Sequence, residues 1–204
     1  SWLERGGVYV MANIRGGAEY GPAWHESVLR ENRPKCYEDM AAVVSSVHDH
    51  GYASPKTTAV YGGSNGGLMA GAMLVHYPGL FGAVIIAVPL LDMLRYHKLL
   101  AGASWVGEYG NPDVPEDRAF LEGYSPYQNV QKDEDYPAVF IYTSTKDDRV
   151  HPGHARKMAA KLQEYGHDTL YYENESGGHA GASDMHAQSY LHALKMSFLF
   201  EKLT

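Results

Sequence analysis

Short runs of apolar, mostly β-branched residues alternate along this chain with longer amphipathic stretches. Such alternation is typical of βα units wound around a mostly parallel sheet, because each buried strand needs a helix to cross back over the sheet. The pattern predicts an α/β fold with strands at Val8 to Ile14, Thr58 to Tyr61, Ala83 to Val88, Ala138 to Thr143 and Thr169 to Glu173.

Helical spacing and helix-ending residues predict the connections between these strands. Helices are expected over Ser64 to Tyr77, Pro152 to Tyr165 and Ser183 to Lys202. Between Asp92 and Pro137 the pattern loosens into glycine, proline, asparagine and tyrosine, which predicts a long excursion over the end of the sheet rather than a linker.

Charge and cysteine content exclude several classes of protein. The formal net charge is -7, with 17 Lys and Arg against 24 Asp and Glu, and no basic run is present, so nucleic acid is not an expected partner.

The longest apolar stretch, Ala83 to Leu91, is about half of the ~20 residues that a membrane span needs. Cys36 is the only cysteine, which excludes an internal disulfide and fits a reducing compartment. We therefore expect the cytoplasm, with the periplasm as the alternative.

One serine lies among glycines in the stretch "YGGSNGGLMAG", which follows a predicted strand and precedes a predicted helix. Gly62, Ser64 and Gly66 match GxSxG, which in this setting describes a nucleophile elbow, a strained turn that holds the serine oxygen at the carboxyl edge of the sheet. Both flanking positions are expected to need glycine because the turn brings backbone segments too close for a β-carbon. The backbone N–H of Asn65 would lie at a helix N-terminus, where it can stabilise an oxyanion. The alternative is a chance match in a chain with 22 glycines.

A serine hydroxyl needs a base to become a nucleophile, and in this fold the order along the chain is serine, acid, histidine. Asp147 and Asp148 follow one predicted strand, and His179 follows the next in a glycine-rich loop. Both loops are expected at the same sheet edge as Ser64. The spacing does not decide between the two aspartates.

The other ten histidines are interpreted as surface or packing residues. His151 and His154 form an HxxH pair, but no third metal ligand accompanies them. We therefore expect neither a metal nor a cofactor.

Collinear stretches make the sequence resemble the catalytic domain of the prolyl oligopeptidase family, the post-proline-cleaving serine peptidases, over essentially its whole length. They are "ANIRGGAEYGPAWH", "YASPKTTAVYGGSNGGL", "LFGAVI", "DMLRYHK", "ASWVGEYG", "YSPYQNV", "DDRVHP" and "GGHAG". The resemblance implies an α/β-hydrolase fold in which Ser64 is the nucleophile, Asp147 rather than Asp148 the orienting acid, and His179 the general base, with Asn65 donating its N–H to the oxyanion.

The same resemblance implies a proline-binding pocket and proline-containing oligopeptides as substrates. Trp105 would stack on the proline ring, Tyr109 and Val150 would form further pocket wall, and Arg149 would bind a substrate carbonyl. For Trp105 the alternative is core packing, and for Arg149 it is an ion pair with Asp148. The rival functions are an esterase or aminopeptidase of this fold, and a catalytically silent fragment that acts in assembly.

Two parts of the family pattern have no match in this sequence. They are the β-propeller and the first strands of the hydrolase sheet, which include a tyrosine that supplies a second oxyanion donor. In the implied topology a missing strand would lie between Val8 to Ile14 and Thr58 to Tyr61. We therefore expect residues 1–204 to form one catalytic domain that is incomplete at its N-terminus and is completed by a further segment or a second chain.

Overall fold

The computed structural model of the chain describes residues 2–181 and 184–204. Four parallel strands form one sheet in the order β1-β2-β3-β4, namely β1 (Ala59–Gly63), β2 (Ala83–Ala87), β3 (Ala138–Ser144) and β4 (Thr169–Asn174). Within the described residues the helices are α1 (Pro22–Glu26), α2 (Pro34–Asp49), α3 (Asn65–His76), α4 (Val106–Tyr109), α5 (Pro115–Tyr124), α6 (Pro126–Asn129), α7 (Gly153–Glu164) and α8 (Met185–Leu203). Short 3-10 turns lie at Leu3–Arg5, Arg30–Asn32, Pro55–Thr57, Pro78–Leu80, Tyr96–Lys98 and Leu100–Trp105.

Helices cover both faces of the sheet, because alternate side chains of each strand point to opposite faces and both sets are apolar. One face packs against α2, α3 and α7 and is formed by Val60, Val84, Ile86, Val139 and Ile141. The other face packs against α8 and is formed by Ala83, Ile85, Ala87, Phe140 and Tyr142. Every residue of β2 is buried, as expected of a central parallel strand.

Four of the predicted strands are confirmed, with ends that differ by at most two residues from those observed. The helices predicted after β1 and before β4 are confirmed in the same way as α3 and α7. The C-terminal helix is observed as Met185–Leu203, whereas its predicted start at Ser183 lies outside the described residues.

The predicted strand at Val8 to Ile14 is wrong, since the structure has no strand there. Its residues have the right composition, but a strand also needs a neighbour that accepts and donates backbone hydrogen bonds. No described strand lies beside this segment, and most of its apolar side chains are exposed, with Val8 61% exposed, Tyr9 67% and Met11 75%, whereas Ile14 packs against the core.

The excursion between β2 and β3 is more regular than its sequence suggests. It contains α4, α5 and α6, and its Tyr96, Leu121 and Tyr124 are almost completely buried. This region is therefore part of the core, and it carries Trp105 and Tyr109 toward the carboxyl edge of the sheet.

Candidate active site

Ser64 lies in the tight turn between β1 and α3 with φ 58° and ψ −116°. A positive φ in a non-glycine residue costs about 1–3 kcal/mol and persists only where the surroundings hold it. Here the Ser64 N–H donates to the Ala87 carbonyl at 2.9 Å, and the Ser64 carbonyl accepts from the Leu68 N–H at 3.1 Å. The predicted elbow geometry is present at this serine.

The glycines around Ser64 differ in why they are glycines. A β-carbon on Gly62 would lie 1.9 Å from the Gly66 carbonyl oxygen, so the expectation of an obligatory glycine is confirmed there. For Gly66 the expectation is wrong, because a β-carbon on that residue meets no atom within 4 Å. The second close approach belongs instead to Gly67, whose β-carbon would lie 2.7 Å from Pro89 Cβ and 2.8 Å from the Ala87 carbonyl oxygen.

His179 links the serine to a buried carboxylate. Its Nε2 lies 3.0 Å from Ser64 Oγ, and its Nδ1 lies 2.8 Å from Asp147 Oδ2 and 3.0 Å from Asp147 Oδ1. Because a carboxylate only accepts, the consistent tautomer carries its proton on Nδ1 and leaves Nε2 free to accept from the Ser64 hydroxyl. The arrangement can move a proton from serine to histidine.

Asp147, and not Asp148, faces the histidine. Asp147 is 4% exposed, whereas Asp148 is exposed to solvent. The Asp147 carboxylate also accepts from the backbone N–H groups of Arg149 at 3.0 Å and Val150 at 2.9 Å. These hydrogen bonds fix the carboxylate and hold it in place for His179.

A cavity of about 310 Å³ opens beside Ser64. The residues predicted from the sequence that line it are Ser64, Asn65, Trp105, Tyr109 and Arg149. Within residues 2–181 and 184–204, no ion pair joins Arg149 to Asp148. The alternative role of Arg149 as a partner of Asp148 is therefore not supported there.

Val150 was predicted to form part of the pocket wall, but it is not among the residues that line this cavity. Its side chain is 2% exposed and packs in the main hydrophobic core. What Val150 offers the site is its backbone N–H, which binds Asp147.

A group of polar and charged residues beside the cavity was not predicted from the sequence. Arg33 is 3% exposed; its Nη1 donates to Glu108 Oε1 at 2.7 Å, and its Nη2 donates to Asn65 Oδ1. Glu108 Oε2 lies 2.8 Å from Nε2 of His25, which was interpreted as a surface or packing residue and instead lines the cavity. Leu90 also lines it. Of these residues, only His25 and Glu108 lie in stretches that resemble the family, and that resemblance was the one indication in the sequence that they belong to the site.

Burial and the neighbouring groups together determine the pKa values in this group. Burial works against the charge of Arg33, but the phenols of Tyr37 and Tyr109 and the Glu108 carboxylate raise its pKa above the ordinary arginine value overall. Burial also raises the pKa of Tyr109 to about 12, so its phenol keeps its proton at neutral pH. That O–H donates to Asn65 Oδ1 at 2.9 Å.

His154, the second histidine of the HxxH pair, has a structural role. His154 is 2% exposed and its Nδ1 accepts from the backbone N–H groups of Leu91 and Asp92, at 3.3 and 3.1 Å. Burial lowers the pKa of His154 to about 4, so the ring is neutral. Among the described residues, no group of three or more histidine, cysteine, aspartate or glutamate side chains is arranged to hold a metal, and no helix is both long and apolar enough to cross a membrane.

Comparisons with known proteins agree on one family. Residues 1–204 match the profile of the prolyl oligopeptidase family. An uncharacterized peptidase of Sinorhizobium fredii is 48% identical over 202 residues, which are 99% of this chain and 28% of that protein. The prolyl endopeptidase of Dictyostelium discoideum is 43% identical over 158 residues, which are 77% of this chain and 21% of that protein.

A solved structure of a post-proline cleaving enzyme from Rickettsia typhi superimposes with a TM-score of 0.97 at 38% identity. The match covers 99% of this chain and 29% of that one. The described sheet and helices therefore have the predicted α/β-hydrolase fold. The chain spans less than a third of the length of the relatives that it matches.

Proposed function

Because this chain belongs to the prolyl oligopeptidase family, we propose that it supplies the active site of a serine endopeptidase that cleaves oligopeptides on the carboxyl side of proline. One observation carries the proposal, namely the continuous contact from Ser64 Oγ through the His179 ring to the buried Asp147 carboxylate. Surface or packing roles do not explain why a serine, a histidine and a buried aspartate meet at one sheet edge.

In the proposed reaction, Ser64 Oγ attacks the carbonyl carbon of the substrate proline while His179 Nε2 takes the hydroxyl proton. His179 then gives that proton to the leaving amine nitrogen as the C–N bond breaks, which leaves an acyl group on Ser64. A water molecule repeats the sequence and releases the acid. Asp147 keeps the ring oriented and stabilises the imidazolium that forms. No metal or cofactor takes part in these steps.

The negative oxygen formed in each step needs hydrogen-bond donors. Asn65 is the first residue of α3, and N–H groups in the first turn of a helix have no partner within the helix. We assign the Asn65 N–H as an oxyanion donor, a position that the helix dipole also favours.

The cavity supports selectivity for proline. Trp105 and Tyr109 offer aromatic surface to a rigid apolar ring, which has no N–H that would need a partner. Arg149 at the cavity rim is suited to a carbonyl of the peptide on the amino side of proline. The names of the relatives from Dictyostelium discoideum and Rickettsia typhi, a prolyl endopeptidase and a post-proline cleaving enzyme, agree with this assignment.

The open edge of β1 supports a second part of the proposal, that a strand from outside residues 1–204 completes the sheet. β1 is the first strand in the sheet order, so one of its edges has no strand partner among the described residues. The segment that carries Val8 and Met11 exposes apolar side chains. A strand of the same longer polypeptide, or of a second chain, would cover both. A sedimentation run in which the 204-residue chain alone is a stable, cooperatively folding monomer contradicts this part.

The decisive experiment compares Ser64→Ala with the unchanged protein in the complete gene product. Hydrolysis of a succinyl-Gly-Pro reporter should fall by about a millionfold in turnover, as in other triads. Ser46→Ala, at an exposed site in α2, is the matched control and should keep full activity. Unchanged hydrolysis by Ser64→Ala ends the proposal.

Two further measurements separate the rival functions. Turnover after proline, alanine and lysine, compared with simple acyl esters, distinguishes a post-proline endopeptidase from an aminopeptidase or esterase. Labelling of Ser64 by a fluorophosphonate requires an activated hydroxyl. Its absence would favour the silent assembly role, for which the open edge of β1 is the supporting observation.

A further inference from the structure

Two hydrogen-bond donors converge on one oxygen next to the serine turn. Arg33 Nη2 and the Tyr109 hydroxyl both donate to Asn65 Oδ1. Asn65 directly follows Ser64 and begins α3. A side chain that is bound at its far end restrains rotation about its own backbone bonds, so these contacts act on the peptide group that joins the two residues.

That peptide group carries the proposed oxyanion donor, and its direction depends on the ψ angle of Ser64. The angle is −116° at a φ of 58°, outside the regions that ordinary residues occupy. Such conformations persist only when the surrounding structure holds them. A restraint on the Asn65 side chain is therefore also a restraint on the direction of the Asn65 N–H.

Arg33 is itself held in place from the other side. Its Nη1 donates to Glu108, and Glu108 contacts His25 on its second carboxylate oxygen. The planar guanidinium spans a carboxylate and an amide oxygen at once, whereas the ammonium group of a lysine is a point charge that cannot reproduce that fork. Arg33 does not line the cavity, although Glu108 and His25 do.

We propose that Arg33 is a positioning residue that holds the Asn65 N–H in the direction required to bind the oxyanion, a role that rests on the proposed function. It touches no reacting atom and acts through Asn65. Complete removal of an oxyanion donor costs roughly 100- to 1000-fold in kcat. Loosening the donor should cost less, about 10- to 100-fold in kcat, with KM changed by less than about threefold because Arg33 lies outside the cavity lining.

The test uses Arg33→Met and Arg33→Lys in the complete gene product, with active sites counted by fluorophosphonate titration. Besides kcat and KM, it measures the affinity for a peptide aldehyde ending in prolinal, which forms an oxyanion on Ser64, and for the product peptide ending in proline, which does not. Arg33→Met should weaken the aldehyde by the same factor as kcat and leave the product affinity within about twofold. Arg33→Lys should lie between Arg33→Met and the unchanged protein.

Two other variants separate positioning from general stability. Arg30→Met removes a neighbouring ion pair with the buried Asp117 and should reduce stability without changing kcat per active site. Tyr109→Phe removes the other donor to Asn65 Oδ1 without leaving a charge unpaired, so it reports on the same restraint even if Arg33→Met does not fold. It should lower kcat and aldehyde affinity together.

The outcomes that contradict the role of Arg33 are specific. They are an unchanged kcat in Arg33→Met, equal weakening of aldehyde and product, and an Arg30→Met variant that shows the same kcat loss. If the unchanged protein is active and Arg33→Met shows any of these, only the role of Arg33 fails. If the unchanged protein neither reacts with the fluorophosphonate nor hydrolyses the reporter, the proposed function fails and the role of Arg33 falls with it.

Discussion

Gly62→Ala and Gly66→Ala make the same chemical change on the two sides of Ser64, and the structure predicts opposite results. The new β-carbon at Gly62 would lie 1.9 Å from the Gly66 carbonyl oxygen and 2.4 Å from its carbonyl carbon. The new β-carbon at Gly66 would meet no atom within 4 Å. The pair therefore tests whether close backbone packing at Gly62 determines the geometry of the turn.

The size of the clash sets the expected loss. A carbon normally stays about 3.3 Å or more from a carbonyl oxygen, so the end of β1 and the first turn of α3 must separate by more than about 1 Å in Gly62→Ala. Ser64 lies between these segments and its Oγ moves with them, away from a His179 nitrogen now 3.0 Å distant. Overpacking of this kind costs about 1–3 kcal/mol of stability, and a displacement of about 1 Å costs roughly 100-fold in rate.

Gly66→Ala should instead stabilise the protein. Gly66 is the second residue of α3, and replacing a helical glycine by alanine contributes about 0.5–1 kcal/mol where no clash follows. Activity should stay within about threefold of the unchanged protein, because neither the turn nor the cavity is displaced.

The assay is the second-order rate of fluorophosphonate labelling at Ser64, measured with the free energy of unfolding in urea for both variants of the complete gene product. Labelling depends on the activated hydroxyl and not on how a peptide binds. A normal labelling rate in Gly62→Ala would show that backbone contact at Gly62 does not determine the geometry of the turn. A loss in Gly66→Ala as large as that in Gly62→Ala would show that the turn needs glycine at both positions for a reason other than contact.

Other predictions concern groups away from the serine turn. Burial lowers the pKa of His154 to about 4 in the folded protein, against about 6.5 in the unfolded chain. As pH falls, the unfolded chain therefore binds the proton first, and the free energy of unfolding should fall by up to about 3 kcal/mol between pH 6.5 and pH 4. In urea titrations across that pH range, His154→Asn should flatten the fall. Cys36 is buried with its pKa raised to about 11, so iodoacetamide should modify it, as followed by mass spectrometry, only in unfolding concentrations of urea. Trp105→Ala should lower kcat/KM for the proline reporter by about tenfold or more, and Trp105→Phe by less; equal values for all three proteins would remove Trp105 from the pocket.

The sheet could be predicted from local pattern wherever burial on both faces leaves a continuous apolar run. β2 is the clearest case, since "AVIIA" has no polar residue and all of it is buried. Val8 to Ile14 has a similar composition, yet it forms no strand, because strand formation depends on a hydrogen-bonding neighbour and no pattern within the segment supplies one. Local sequence thus predicts the tendency to be extended but not the pairing.

The contact from serine to histidine to aspartate was open to prediction because the fold fixes where parallel strands end. Ser64 follows β1 directly, and Asp147 and His179 lie in the loops after β3 and β4, so their order along the chain places all three at one sheet edge. The choice of Asp147 over Asp148 came from the family resemblance and not from the spacing. Arg33 and Glu108 are different, since they lie 75 residues apart and neither lies in a loop just after a strand. Their meeting depends on how the region between β2 and β3 folds over the sheet, which no periodicity in the sequence describes.

The free-energy cost of the strained backbone at Ser64 is similar to the stabilisation from the hydrogen bonds that hold it. The unusual backbone costs about 1–3 kcal/mol. The two hydrogen bonds that its peptide groups make, to Ala87 and from Leu68, contribute about 0.5–1.5 kcal/mol each, so alone they barely offset it. The close approach of Gly62 to Gly66 and the hydrogen bonds to the Asn65 side chain are further contacts that resist relaxation of the turn. The geometry of the turn therefore also depends on groups that take no part in the proposed bond-making steps, as Gly62→Ala is expected to show.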